Sequence, residues 1–83
     1  MDKMKALEAR INEFSRKATD AFVASLMASL EDDKDTEKRY DKMLMKTEAY
    51  YQGMLQAARM MGYKVDEMID DLGNHVYTLT EER

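Results

Sequence analysis

Met4, Leu7, Ile11, Phe14, Ala18, Ala21, Ser25 and Ala28 recur at alternating three- and four-residue intervals. That spacing puts them on one side of an α-helix. With no proline in the chain, the commonest cause of a helix kink is missing. The spacing therefore predicts a first helix over about 2–30, with Asp2 as its cap or in its first turn, where a negative charge is favourable. The stripe is graded. Its first half is large and its second half small, so a neighbouring helix can approach closely along Ala18, Ala21, Ser25 and Ala28. A second apolar set, Phe22, Val23, Leu26, Met27 and Leu30, occupies a different face over the same turns. One partner helix cannot cover both.

The polar run "EDDKDT" ends or bends this helix, and Thr36 is the expected N-cap of a second helix reaching Met61. A single continuous helix is the alternative, because the run contains no strong breaker. The apolar residues of the second helix come in adjacent pairs, Met43/Leu44, Tyr50/Tyr51, Met54/Leu55, Ala57/Ala58 and Met60/Met61. Such pairs widen an apolar stripe beyond what one neighbour needs. Gly62 suits a helix C-terminus. After it, "VDEMIDDL" reads as a short third helix over 65–72, with Asp66 and Glu67 in an acidic first turn and Gly73–Asn74 as its stop. The tail, 74–83, alternates Val76, Thr78 and Thr80 against Tyr77 and Leu79. This is a strand-like pattern with no partner strand in an otherwise helical chain.

These readings give one domain over 1–83 of all-α class, a long antiparallel helical hairpin plus a short third helix. Two helices of roughly 40 Å would form a thin rod with two wide apolar flanks. The third helix is too short to cover them. Pairing two hairpins into a four-helix bundle would cover them, with Phe22, Leu26, Met27 and Leu30 as the dimer interface.

Charge narrows the function classes. The chain carries a net −4, unevenly placed: residues 36–64 sum to +3 and residues 65–83 to −5. Docking between the two segments is a sufficient explanation for that polarity. There is no cysteine, hence no disulfide framework and no thiolate metal site. No apolar run approaches the length of a membrane span, and "MDKMKALEAR" lacks the apolar core of a signal peptide. The expectation is a cytoplasmic protein with no membrane partner.

The stretch "ARMMGYKVDEMIDDLGNH" has the outline of a helix-turn-helix, with Ala58, Gly62 and Tyr63 suitably placed. Its second helix, however, would present Asp66, Glu67, Asp70 and Asp71 to the phosphate backbone and repel it. Glu67, Asp71 and His75 fall at i, i+4 and i+8, a weak metal-ligand spacing that Gly73–Asn74 interrupts. "DDKDTEKRYD" lacks the glycine and the glutamate of a calcium loop. One histidine, no cysteine and three distant serines suggest no nucleophilic centre, and no glycine-rich phosphate loop is present. An enzyme is not expected, and no cofactor. Lys38, Arg39, Lys42 and Lys46 form a basic stripe that could track a nucleic acid, with Tyr40, Tyr50 or Tyr51 stacking. Glu37 and Asp41 interrupt it, so a solvated mixed-charge face is the simpler reading. Nine methionines read as core filler for the most part, with Met45 the best exposed candidate.

The function expected from sequence is a non-enzymatic protein-binding module. It would be a small dimeric helical regulator, adaptor or inhibitor that occupies a partner protein's surface. Its partner-binding residues would be Asp66, Glu67, Asp70, Asp71 and Tyr77, set against a basic surface, with an acidic imitation of nucleic acid as a variant. The alternative is a nucleic-acid accessory protein using the basic stripe.

Overall fold

The computed structural model describes residues 2–81. Two long helices, α1 (Lys3–Leu30) and α2 (Lys34–Met60), are followed by two strands, β1 (Tyr63–Ile69) and β2 (His75–Glu81). The fold is a small α+β domain: a helical hairpin carrying a two-stranded antiparallel sheet.

Asp2 caps α1, accepting a hydrogen bond from the Met4 amide (2.9 Å). At the other end the chain reverses within residues 31–33. The Asp33 amide donates to the Ala28 carbonyl and the Asp32 amide to the Ser29 carbonyl. Asp32 stands between them in the left-handed region (φ 57°), as a Schellman closure requires. Asp33, rather than Thr36, is the N-cap of α2, accepting from both the amide and the hydroxyl of Thr36. Those two hydrogen bonds, the hydroxyl's first, hold its carboxyl below the usual aspartate range.

The helices meet along the small-residue stripe. Ile11, Ser15, Ala18, Ala21, Ser25 and Ala28 are buried from α1, with Thr47, Leu55 and Ala58 from α2. Polar groups in the seam are satisfied locally: Ser25 donates to Asp41, and Thr47 to the Met43 carbonyl. The large apolar core lies at the end away from the turn. There Ile11, Leu55, Ala58, Tyr77 and Leu79 form one cluster, flanked by residues that include Met4, Leu7 and Val65.

The all-α expectation fails over the last third of the chain. The third helix expected over 65–72 is β1 followed by a turn, and the expected tail is β2, its last two residues lying outside the described ones. The lone strand finds its partner in the same chain: Val65 faces Leu79, Glu67 faces Tyr77 and Ile69 faces His75. The physical reason is ambiguity of period. Val65, Met68, Ile69 and Leu72 fit one helical face, but Tyr63, Val65 and Ile69 equally fit one face of a strand. An isolated eight-residue helix is marginal, whereas β1 satisfies half of its backbone against β2. Gly62 (φ 89°) and Gly73 (φ 84°) supply the left-handed turns that start and reverse the hairpin.

The dimeric helical regulator falls with the all-α fold, because the sheet itself covers part of one side of the helical hairpin. The premise of a bare rod, which demanded a four-helix bundle, is gone. Phe22, Leu26, Met27 and Leu30 are exposed in the chain by itself. Most methionines are not core filler either, since Met43, Met45, Met60, Met61 and Met68 are all exposed. No helix among the described residues is long and apolar enough to cross a membrane.

The two halves should respond differently to substitution. Ala21→Leu overfills the seam and should cost about 1–3 kcal/mol, and Leu79→Ala should cost about 2–5 kcal/mol. Leu30→Ala, on a side chain 84% exposed, should stay within about 0.5 kcal/mol. Urea denaturation followed by circular dichroism reads all three, and a neutral Ala21→Leu would contradict the seam.

Candidate functional site: one sealed sheet edge and one open edge

In an antiparallel pair, residues alternate between those bonding across the ladder and those whose amide and carbonyl point away from it. The turn sets the phase here, because the Asp70 amide donates to the Asn74 carbonyl (2.9 Å). Lys64, Asp66 and Met68 therefore bond toward β2. His75, Tyr77 and Leu79 turn their backbone groups outward from β2, and Val65, Glu67 and Ile69 turn theirs outward from β1.

The two outer edges are treated differently. α1 runs beside β2 and seals it with three side chains. Asn12 binds the Tyr77 backbone twice, accepting from its amide (2.7 Å) and donating to its carbonyl (2.9 Å). Ser15 donates to the His75 carbonyl (2.7 Å), and Glu8 accepts from the Leu79 amide (2.8 Å). The repeats are commensurate. Residues 8, 12 and 15 span about 10 Å along a helix, and residues 75 to 79 about 13 Å along a strand, within side-chain reach. α2 meets β1 through apolar contacts instead. Among the described residues, no side chain or further backbone group hydrogen-bonds to the outward amides and carbonyls of Val65 and Glu67. β1 is an open edge, seven residues long and free of proline.

The faces of the sheet are also unequal. Tyr77 and Leu79 point into the core with half-buried Tyr63 and Val65. Lys64, Asp66, Met68 and Thr78 lie on the solvent face. Apolar exposure concentrates toward the hairpin tip, where Met68, Ile69 and Leu72 are 65, 64 and 84% exposed. Beyond that tip the groove between the helices opens into a cleft of about 260 Å³, whose lining includes Ser15, Phe22, Leu44, Tyr51 and His75.

The expected acidic partner surface is dispersed by this geometry. Asp66 is on the solvent face. Glu67 bonds His75 across the hairpin (Oε1 to Nδ1, 2.6 Å). Asp70 is occupied by the turn, accepting from the Leu72 and Asn74 amides and the Asn74 side chain; these bonds, the Asn74 amide first, lower its pKa. Asp71 sits at the tip, and Tyr77 is 5% exposed and cannot meet a partner directly. An acidic helix imitating nucleic acid does not exist here. Glu67 and His75 come together without Asp71, and the described residues hold no group of three metal-ligating side chains.

Lys38, Arg39, Lys42 and Lys46 are exposed on α2, where Arg39 lies over the Tyr40 ring. The other expected stacking surfaces are engaged elsewhere, Tyr51 against Tyr77 and Tyr50 against Phe14. Tyr51 is half-buried in that contact, whereas Tyr50 stays 54% exposed. Glu8, Asn12 and Ser15 escaped the sequence reading. They form a polar i, i+4, i+7 row beside the core stripe, which in an amphipathic helix ordinarily faces solvent. Compared with protein-family models, with curated proteins and with solved structures, the chain matches none.

Removing the Asn12 amide strands two backbone groups of Tyr77. Asn12→Leu should cost about 2–4 kcal/mol in chemical denaturation. Asn12→Asp keeps an acceptor but sets a carboxylate against the Tyr77 carbonyl, raising the introduced carboxyl's folded pKa. Its stability should therefore be highest at acid pH, where a protonated carboxyl can donate, and fall as pH rises through that pKa. A variant with a wild-type pH profile would contradict the double bond.

Tyr77 supplies a second pH test. Burial first, then the neighbouring Tyr51 and the Glu67 charge, push its hydroxyl up to about 12. A pKa raised in the folded state gives stability that is complete below the unfolded value near 10 and lost as pH rises through about 12. Tyr77→Phe should flatten that alkaline loss, measured by denaturation at stepped pH. An unchanged slope would mean Tyr77 ionises freely.

Proposed function

We propose that this chain is a strand-accepting module, which takes an extended polypeptide segment onto the outer edge of β1 and so enlarges its sheet. The observation that carries this reading is the unequal treatment of the two edges. Three α1 side chains are spent on sealing β2, while β1 presents the outward groups of Val65, Glu67 and Ile69 with no competing donor or acceptor among the described residues. Strand addition draws affinity from main-chain hydrogen bonds and specificity from alternate side chains. β1 offers both, with charged Lys64 and Asp66 on one face and Val65 and Ile69 on the other. Exposed apolar side chains near the edge add contact area: Met68 on the strand, Leu72 at the tip and Met61 at the end of α2.

This differs from a helical regulator that covers a partner's surface, since the working element is backbone rather than an apolar helix flank. No catalytic step and no cofactor belong to the reading. A two-stranded sheet is marginal by itself, so a third strand also stabilises the element that accepts it.

Glu67→Pro tests the reading with little damage to the fold. The lost amide points outward, so no ladder bond is removed, and proline is tolerated on an edge strand. Asp66→Pro deletes a ladder amide and should unfold the hairpin. Against a panel of seven-residue alternating peptides, wild-type protein should show slowed hydrogen exchange at Val65, Glu67 and Ile69. Glu67→Pro should keep its circular dichroism spectrum and lose the binding. Protection confined to other residues, or none across the panel, would overturn the proposal.

A further inference from the structure

Resting on the strand-accepting reading, we infer that the strand taken by β1 is β1 of a second copy, paired antiparallel about a two-fold axis at Val65. A symmetric edge-to-edge contact is isologous, so the same strand must meet itself in antiparallel sense. The outward groups belong to odd-numbered residues, so only registers pairing odd with odd satisfy both backbones. Three such registers bring most of the strand together, and charge separates them. Centring on Asp66 sets Asp66 directly against its own copy. Centring on Glu67 does the same with Glu67. Centring on Val65 sets Lys64 opposite the second copy's Asp66, twice by symmetry, with Val65 against Val65 between them. Opposite charges directly across a ladder favour pairing and like charges oppose it.

Lys64 and Asp66 face Thr80 and Thr78 across the existing ladder, so neither has a charged cross-strand neighbour at home. Both are exposed, on the solvent face of the sheet. Charges on an edge strand commonly deter stray pairing. Here Asp66 and Glu67 each discourage one register, and Lys64 with Asp66 selects the third.

The resulting sheet has the order β2-β1-β1-β2. Both of its outer edges are β2, and both are sealed by Glu8, Asn12 and Ser15. Growth stops at two copies. A chain with two open edges would polymerise; sealing one edge and leaving the other gives a closed dimer. The paired strands are short and the contact small, so a micromolar dissociation constant is expected rather than a permanent dimer.

Sedimentation velocity on the full chain, from low micromolar concentration upward, gives the test. Wild-type protein should pass from monomer to dimer. Lys64→Asp and Asp66→Lys should each weaken the dimer about tenfold or more, having turned two attractions into two repulsions. An equimolar mixture of those two variants should recover dimer, because each copy then meets opposite charge at both positions. Circular dichroism and one-dimensional NMR confirm that the monomers remain folded.

The outcomes separate the two proposals. A wild-type chain that stays monomeric while an alternating peptide protects Val65 and Glu67 overturns self-pairing and leaves the strand-accepting reading standing. A dimer abolished by Glu67→Pro but indifferent to charge reversal overturns the Val65 register. A dimer indifferent to both places the contact elsewhere and overturns the inference. Loss in both single variants with recovery in the mixture supports it.

Discussion

The paired hydrogen bonds between the Asn12 amide and the Tyr77 backbone fix where the sheet lies on the helices. An amide side chain donates and accepts from a single planar group without charge. It therefore matches the backbone of an outward-facing strand residue. Once Tyr77 is held there, its ring enters the core beside Tyr51, and Leu79 and His75 fall opposite Glu8 and Ser15. The phase of β2 is then set, and the phase of β1 follows from the ladder. The α1 seal and the Asp70–Asn74 turn thus agree on which groups of β1 face outward.

This arrangement divides the labour along the helical hairpin. Near the termini, the large residues Ile11, Leu55, Tyr77 and Leu79 supply most of the apolar burial. Toward the turn, small residues let the helices approach closely, and stability there depends on fit and on the Asp33 cap rather than on bulk. The graded stripe of α1 is the sequence counterpart of that division. Its large half meets the sheet, and its small half meets only α2. Phe22 lines the cleft beside the hairpin tip, and Phe22, Leu26 and Leu30 stay exposed in the chain by itself.

The helices were legible because their signal is local: period, absence of proline and acidic residues at the turn. The sheet was not, because its signal is relational. "YKVDEMI" supports a helix or a strand until a second strand is available at the right distance, and the alternation over 76–80 was read with no partner in view. Joining the two segments through Gly73 would have converted an orphan strand and a marginal helix into one hairpin. The acidic residues misled for the same reason. Asp66, Glu67, Asp70 and Asp71 cluster in sequence, yet a strand sends neighbours to opposite faces and the turn engages Asp70. Sequence proximity made one patch where the fold makes four separate roles. Glu8, Asn12 and Ser15 could be read as surface residues of α1 because nothing in the helix itself marks them as ligands for a backbone.

The sealing of β2 also changes what exposure of β1 means. An unprotected hairpin has two equivalent edges, and their exposure says only that the sheet is small. Here one edge is closed at a cost, since Glu8, Asn12 and Ser15 are drawn from water toward a strand backbone and must be satisfied there. The open edge keeps an alternation of charge that contains its own complement. Lys64 and Asp66 stand two residues apart on one face, so centring on Val65 sets each opposite its complement in a second copy. A chain with the two charges alike would have no such register. The edge is therefore specified rather than merely bare, and its specification resides in residues that the folded monomer does not otherwise use.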